Sequence, residues 1–190
     1  MSSAPSRSSP FSAALHAAAD AVVAATDRHA RTVVLIDGRS GAGKSTLARL
    51  IVRQWPQAQL VALDSLYPGW DGLDAGAELA RTRILQPHRR GEHASWPRWD
   101  WAAGAPGEEH DVDPGAPLIV EGSGILTPQT ATLADVRVWL DAPDAQRKQR
   151  ALDRDGELYR PFWDRWAAQE ERHIARDGPQ ALATHVFRVP

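Results

Sequence analysis

Residues 38–45 have the types and the spacing of a phosphate-binding loop. The segment GRSGAGKS fits the pattern G-x-x-x-x-G-K-[ST] at every fixed position. Glycines let successive backbone N–H groups curl around a phosphate, Lys44 can reach the β- and γ-phosphates, and the Ser45 hydroxyl can ligate Mg²⁺. The predicted nucleotide-binding residues are therefore Gly38, Arg39, Ser40, Gly41, Ala42, Gly43, Lys44, Ser45 and Thr46.

The residues on either side supply the secondary structure that such a loop needs. The mostly apolar run at 33–37 predicts a buried strand, and Leu47, Leu50 and Ile51 recur at helical spacing. Strand, glycine loop and helix in this order make the pattern a phosphate site, because the helix points its positive N-terminus at the anion. The alternative, a glycine-rich loop arising by chance, is disfavoured by this context.

Two acidic residues follow further predicted strands. The apolar runs at 60–63 and 117–120 lead directly to Asp64 and Glu121. We expect these two strands to flank the strand at 33–37, so that both acids reach the phosphate edge of the sheet. With Ser45 they would supply oxygen ligands for Mg²⁺ and a base beside an acceptor hydroxyl. Either acid taken alone is better explained as a helix cap or turn residue.

Three tryptophans, Trp96, Trp99 and Trp101, lie close together in the segment between these acids. Aromatic rings stack on planar ligands, and they also fill protein cores. Because Pro97, Arg98 and Asp100 alternate with them, we favour a substrate-binding wall over a wholly buried segment. The residues from 90 to 101 are expected to form irregular structure or a short hairpin, and 102–116 a surface loop.

A basic segment places Arg147, Arg150 and Arg154 on one face of a predicted helix that begins near Asp144. Arginines on one face can neutralise a transferring phosphoryl group, as the lids of small kinases do. We predict catalytic roles for all three, in a lid around residues 144–165. An ordinary solvated helix face is the alternative.

The remaining pattern predicts an α/β fold. Short apolar strands alternate with helices, which favours a three-layer sandwich around a parallel sheet, here a P-loop NTPase with five strands. Trp163, Trp166, Gln169, Glu170 and His173 lie on an amphipathic helix, and we expect them to serve packing and surface rather than a metal site. The other predicted elements are helices at 11–27 and 77–88, and strands at 136–140 and 184–189.

Composition limits the function classes. The 190 residues carry a formal net charge of −2 and no cysteine, which disfavours a nucleic-acid platform and excludes disulfides and thiolate metal sites. No apolar run approaches a membrane span. The Ser- and Pro-rich residues 1–10 predict a disordered tail, and residues 11–190 a single domain. We expect a soluble, cytoplasmic protein without membrane or nucleic-acid partners.

The order of the motifs resembles the uridine kinase and phosphoribulokinase family. After the loop come LDSLY, WPRWDW, LIVEGSGIL and DAPDAQRKQRALDRD, so the resemblance spans about residues 32–155. It implies that Asp64 is the general base, that Ser45 and Glu121 help to hold Mg²⁺, and that ATP donates the phosphoryl group. The implied substrate contacts are Asp64, Tyr67, Trp99, Asp100 and Trp101.

The sequence departs from this family at the acceptor side. Residues 102–105 are AAGA rather than the polar and basic residues that hold a nucleoside, and the segment after Arg154 lacks the usual arginine–glycine lid sequence. We therefore expect a small-molecule hydroxyl acceptor that is smaller or less polar than a pyrimidine nucleoside. The alternative function is a regulatory ATP-binding protein or ATPase without an acceptor. A GTPase is disfavoured because the chain has no asparagine for a guanine-reading motif.

Overall fold

A five-stranded, all-parallel sheet forms the centre of the molecule. The computed structural model describes residues 9–26 and 31–190. Its strands are β1 (Val33–Asp37), β2 (Gln59–Ala62), β5 (Leu118–Glu121), β6 (Val136–Asp141) and β7 (His185–Arg188). The strand order is β2-β5-β1-β6-β7, and every neighbouring pair is parallel. The predicted fold class, a three-layer α/β fold with five parallel strands, is confirmed.

Helices cover both faces of this sheet. They are α1 (Pro10–Ala25), α2 (Lys44–Gln54), α3 (Leu73–Leu79), α4 (Gln86–Arg90), α5 (Pro128–Ala131), α6 (Asp144–Tyr159), α7 (Trp163–Asp177) and α8 (Pro179–Leu182). A π-helical segment, Ala80–Leu85, joins α3 to α4 without a break. The continuous helical stretch therefore starts at Leu73 and is longer than the predicted helix at 77–88.

The side chains of β1 show how the two faces are filled. All five residues of the strand are buried. Val33 and Leu35 point into the core shared with α3, α7 and the π-helical segment, whereas Val34 and Ile36 point into the core shared with α1 and α2. Because side chains alternate along a strand, an unbroken apolar run is needed to fill a core on each side.

Two sequence-based expectations about the strands are wrong. Strand β1 lies between β5 and β6, so β2 is not its neighbour and instead pairs with β5 on the far side. Residues 102–116 do not form a simple loop, because Ala105–Val112 is a strand, β4, that pairs antiparallel with β3 (Ala94–Asp100). The residues of β4 are mostly exposed, so backbone pairing, rather than apolar patterning, defines this strand.

The N-terminal helix begins inside the segment that was predicted to be a disordered tail. The Ser9 Oγ accepts a hydrogen bond from Ser12 N at 3.2 Å, and Pro10 occupies the first helical turn, a favoured start for a helix. Residues 1–8 of the predicted tail, and Asp27 of the predicted helix, lie outside the described residues.

Within residues 9–26 and 31–190, none of the helices combines the length and apolar character that a bilayer crossing requires.

Trp96 is part of the hydrophobic core. Only 7% of it is exposed, it belongs to the core on the α3 and α7 side of the sheet, and its ring stacks on His110 across the hairpin at 5.6 Å. Trp99, three residues along the same strand, is half-buried. The two tryptophans therefore differ in how much packing they provide.

We expect Trp96→Ala to lower the free energy of unfolding by about 3–5 kcal/mol, since it leaves a large cavity in the core. The matched variant Trp99→Ala should cost clearly less, because solvent already reaches that ring. Urea unfolding followed by circular dichroism measures both. Equal losses would contradict the different environments of the two rings.

Candidate active site

The loop between β1 and α2 has a backbone that favours glycine at several points, of which Gly41 and Gly43 are the clearest. Gly41 and Gly43 adopt φ of +77° and +104°, a region that side chains disfavour. A Cβ on Gly41 would overlap the backbone carbonyl of Arg147, and one on Gly43 would lie 2.9 Å from Cζ of Phe11. The loop is therefore packed tightly between α1 and α6, and α2 starts directly behind it at Lys44.

Two arginines of α6 hold the carbonyl groups of this loop. Arg147 Nη1 donates to Ser40 O at 3.0 Å and Arg150 Nε donates to Gly41 O at 2.8 Å. Arg147 is only 2% exposed, so its guanidinium is enclosed behind the loop. Arg154, one turn further, lines the cleft in front of the loop. The structure thus separates the three arginines that were predicted to act together.

A cleft of about 960 Å³ opens in front of the loop. One end is polar and is formed by the loop and the start of α2. The other end is aromatic. The residues lining the polar part are Ser40, Gly41, Gly43, Lys44, Ser45, Thr46, Arg49, Asp64, Glu121, Ser123, Arg154 and Asp155, and those lining the aromatic part are Tyr67, Trp70, Trp101, Tyr159, Phe162 and Trp166, with Ala102 beside them.

Lys44 reaches into the polar end of this cleft. Its Nζ donates to Arg39 O at 3.2 Å and to Ser123 Oγ at 3.1 Å. Ser123 follows β5, so its hydroxyl fixes the ammonium group between the loop and the neighbouring strand. The ammonium group is thus held beside the loop at the polar end of the cleft, which suits a lysine that serves phosphate.

The two predicted acids occupy different depths of the same cleft. Asp64 is exposed in a short 3₁₀ turn, Leu63–Ser65, that follows β2, and Glu121 at the end of β5 is only 4% exposed. Burial raises the pKa of Glu121, the charge of Lys44 opposes this, and the charge of Asp64 raises it further. A cation bound beside both carboxylates would offset this repulsion.

The oxygen donors fit Mg²⁺. Ser45, Asp64 and Glu121 all line the cleft, and Mg²⁺ is usually held by one or two carboxylates together with phosphate oxygens and water. Among the described residues, no three His, Cys, Asp or Glu side chains cluster as a metal site. A cation here would therefore depend on the Ser45 hydroxyl and on a bound phosphate as much as on the protein carboxylates.

The aromatic end is assembled from four separate segments. Trp101 Nε1 donates to Asp64 O at 2.9 Å, which ties the tip of the β3–β4 hairpin to the turn that carries the acid. Trp70 stacks on Phe162 at 4.4 Å with a 7° interplanar angle and lies 4.9 Å from Trp101. Three cleft residues, Trp70, Tyr159 and Phe162, were not among the predicted site residues, because the aromatic residues of these segments match none of the motifs.

Of the remaining predicted substrate residues, Trp96, Trp99 and Asp100 lie outside the cleft and Tyr67 lines it. Trp96 is in the core, Trp99 does not line the cleft, and Asp100 caps the hairpin turn by accepting from Ala102 N and Ala103 N at 2.9 and 3.0 Å. Tyr67 lines the cleft, but its hydroxyl donates to Ser123 O at 2.8 Å. Burial, followed by the charge of Asp64, raises the pKa of Tyr67 well above its usual value.

Comparison with solved structures identifies the architecture. A structure described as a possible uridine kinase from Bacillus stearothermophilus matches with a TM-score of 0.67 and 17% identity, over 92% of this chain and 97% of that chain. This chain has a P-loop kinase fold. A candidate fructose transport system kinase from Silicibacter sp. TM1040 matches with a TM-score of 0.53 and 21% identity, over 91% and 98% of the two chains.

A third match has a rearranged chain order. YFH7 from Saccharomyces cerevisiae, described as a candidate P-loop kinase with a circular permutation, has a TM-score of 0.53 and 12% identity, over 92% of this chain and 98% of that one. No family model and no curated protein matches the sequence. The resemblance to uridine kinase-like proteins, inferred from the order of the motifs, is thus confirmed by the fold.

A buried polar cluster joins α7 to the phosphate loop of this kinase fold. Asp37, the last residue of β1, accepts from Gly38 N at 2.6 Å and from Gly124 N at 2.9 Å. His173 Nε2 lies 3.1 Å from Asp37 Oδ2, and its Nδ1 lies 2.8 Å from Asp177 Oδ2. The imidazole, only 2% exposed, therefore connects the end of the first strand to the last turn of α7.

The protonation of His173 couples this cluster to pH. Burial lowers its pKa, but hydrogen bonds to Asp37 and Asp177 and their charges outweigh this effect, so the pKa of His173 lies above its usual value. A raised pKa means that the folded protein binds the proton more tightly than the unfolded chain does.

We expect His173 to stabilise the protein most at pH below about 6.5, the pKa of an unperturbed histidine, and to lose this contribution as pH rises through its raised folded-state pKa. Urea unfolding of the wild type and of His173→Gln between pH 5 and 9 isolates the effect, because other titrating groups are common to both. The difference in unfolding free energy should shrink with rising pH. A difference that grew with pH would mean that the neutral imidazole is the form the fold favours.

Proposed function

We propose that the chain is an ATP- and Mg²⁺-dependent kinase that transfers the γ-phosphoryl group to a hydroxyl group of a small molecule. One observation carries this proposal: a single cleft contains the phosphate loop with Lys44, the acidic pair Asp64 and Glu121, and an aromatic end bordered by Trp101. A site that only held or hydrolysed nucleotide would have no need of an aromatic compartment directly beside an exposed carboxylate.

In the proposed reaction, the acceptor lies between the aromatic end and the phosphate loop. Asp64 takes the proton of the acceptor hydroxyl as its oxygen bonds to the γ-phosphorus, and the bond from that phosphorus to the β-phosphate oxygen breaks. ADP and the phosphorylated acceptor are the products. Lys44 and Arg154 stabilise the negative charge that is shared among the phosphate oxygens.

The metal role falls to Ser45 and Glu121, with Asp64 near enough to contribute. Mg²⁺ would neutralise the charge of the β- and γ-phosphates. Glu121 suits this role because it is buried next to Lys44 and Asp64, whereas the greater exposure of Asp64 suits exchange of a proton with an acceptor and then with water.

The aromatic end supports an acceptor with an apolar or planar face. Trp101 is 41% exposed, so a ligand could cover it, and its indole N–H is already used by Asp64 O. Residues 102–105 supply no basic side chain there. The acceptor proposed is therefore a neutral small alcohol, less polar than a pyrimidine nucleoside.

A direct assay decides between a kinase and an acceptor-free ATPase. Purified protein is incubated with ATP, Mg²⁺ and a panel of nucleosides, sugars and vitamin alcohols, and ADP release is measured together with ³¹P NMR of the products. A kinase releases ADP at a rate that depends on one acceptor class and forms a phosphate ester. Equal ADP release with and without every acceptor would contradict the proposal, and Lys44→Ala serves as the inactive control.

Asp64 and Glu121 should give different kinetic phenotypes if their roles are as proposed. Asp64→Asn is expected to lower kcat by about 10²-fold or more with little change in ATP affinity, which is the range that general-base catalysis supplies. Glu121→Gln should instead raise the Mg²⁺ concentration needed for half-maximal rate. Steady-state kinetics over a Mg²⁺ series measures both. Interchangeable phenotypes would show that the two roles are assigned wrongly.

Two arginines on the same helix provide a further contrast. Arg154→Ala should lower kcat by about 10²-fold while leaving the unfolding free energy nearly unchanged, since it removes charge from the cleft. Arg147→Ala should mainly destabilise the fold, because it leaves the carbonyl groups of Ser40 and Ala142 without their donor. Kinetics and urea unfolding of both variants test this. A stable but inactive Arg147 variant would contradict it.

A further inference from the structure

Glu170 is a buried carboxylate that the proposed chemistry does not use. It lies on α7 and is 2% exposed. Its Oε1 accepts from Ser40 N at 2.7 Å, from Ser40 Oγ at 2.8 Å and from Ser123 Oγ at 2.9 Å, and its Oε2 accepts from Arg39 Nε at 3.4 Å. A carboxylate with this many donors is well compensated despite its burial.

The partners of Glu170 lie at or beside the polar end of the cleft. Ser40 and Arg39 are residues of the phosphate loop, and Ser123 Oγ lies 3.1 Å from Lys44 Nζ. The Ser123 hydroxyl has one proton and two lone pairs. This proton has two acceptors within reach, Glu170 Oε1 at 2.9 Å and Gly38 O at 3.0 Å, and the carboxylate is the stronger acceptor. When the proton goes to Glu170, both lone pairs remain available to the ammonium group of Lys44.

We propose that Glu170 is a positioning residue for the phosphate loop. It fixes the backbone N–H of Ser40, and it orients Ser123 so that this hydroxyl holds Lys44 in the cleft. Helix α7, which begins at the end of the predicted lid segment, thereby sets the geometry of the nucleotide site. The inference rests on the proposed function in one respect, that the site takes a nucleoside triphosphate.

Helix α7 is also anchored to the rest of the fold by residues other than Glu170. Gln169 Nε2 donates to Trp70 O at 2.7 Å, and His173 contacts Asp37, so the residues on either side of Glu170 already attach the helix. What Glu170 adds beyond these anchors is its contact with the groups around Lys44.

Glu170→Gln and Glu171→Gln form a matched pair. Both remove one negative charge from the same helix, and both residues contact Arg39, but Glu171 is 68% exposed and reaches Arg39 at the surface, at 3.4 Å. Calorimetric titration with MgATP should show a Kd about 10-fold higher for Glu170→Gln, as expected for weakened charged hydrogen bonds. The Glu171 variant should remain within about twofold of the wild type.

Unfolding measurements on the same variants separate positioning from simple stability. If Glu170→Gln lowers the free energy of unfolding but leaves the Kd of the folded protein unchanged, Glu170 only fastens the helix and the inference is overturned. Ser123→Ala removes the hydroxyl between Glu170 and Lys44, so it should weaken ATP binding too. In the double variant, the fold-increase in the Kd for MgATP should be smaller than the product of the fold-increases in the two single variants. An increase equal to that product would contradict the coupling of Glu170 to Lys44 through Ser123.

Amide hydrogen exchange of the nucleotide-free protein gives a test that does not depend on activity. Glu170→Gln should accelerate exchange at the Ser40 amide, while Glu171→Gln should not.

If the wild type fails to bind ATP but this exchange pattern is found, the proposed function fails and the positioning role stands. If the wild type binds ATP and the Ser40 amide exchanges at the same rate in both variants, the positioning role fails by itself. Where Glu170→Gln does not fold, Ser123→Ala decides in its place, and unchanged ATP affinity in that variant would overturn the inference.

Discussion

The structure depends on a constraint of the phosphate loop itself. A loop that turns its N–H groups toward an anion must turn carbonyl groups outward, and buried carbonyls need donors. Arg147 and Arg150 supply them to Ser40 O and Gly41 O. The position of α6 close against the loop, and the need for glycine at position 41, both follow from this requirement. The basic face of α6 therefore serves the loop first, and only its distal end, at Arg154, is left for the cleft.

The order of the strands determines how the acids differ. β5 lies next to β1, and β2 lies beyond β5. Glu121 therefore emerges one strand from the loop and is covered by the structure around it, while Asp64 emerges two strands away and stays exposed at the rim. Carboxylates that are equivalent in sequence thus acquire different solvation, and that difference supports assigning a metal role to one and proton transfer to the other.

Helix α7 makes polar contacts with distant segments in addition to its packing contacts. Its buried face carries Gln169, Glu170 and His173, which contact the turn at Trp70, the phosphate loop and the end of β1, respectively. The sequence pattern correctly places these residues on one amphipathic face. Apolar periodicity, however, gives no information about polar partners that lie 99 to 136 positions away in the sequence. A movement of α7 would consequently reach both ends of the cleft at once.

The sequence by itself determined the local features: the phosphate loop, the buried strands on either side of it, and the acids that follow β2 and β5. Each depends on residue type and short-range spacing, since a glycine turn or a strand that is buried on both faces is specified by adjacent residues. Only the tertiary structure decided which of three arginines faces the cleft, that Trp96 is in the core while Trp101 lines the cleft, and that Trp70 joins it there. Those outcomes depend on how distant segments pack, and a single side chain such as an indole suits a core and a ligand wall equally well until its neighbours are known.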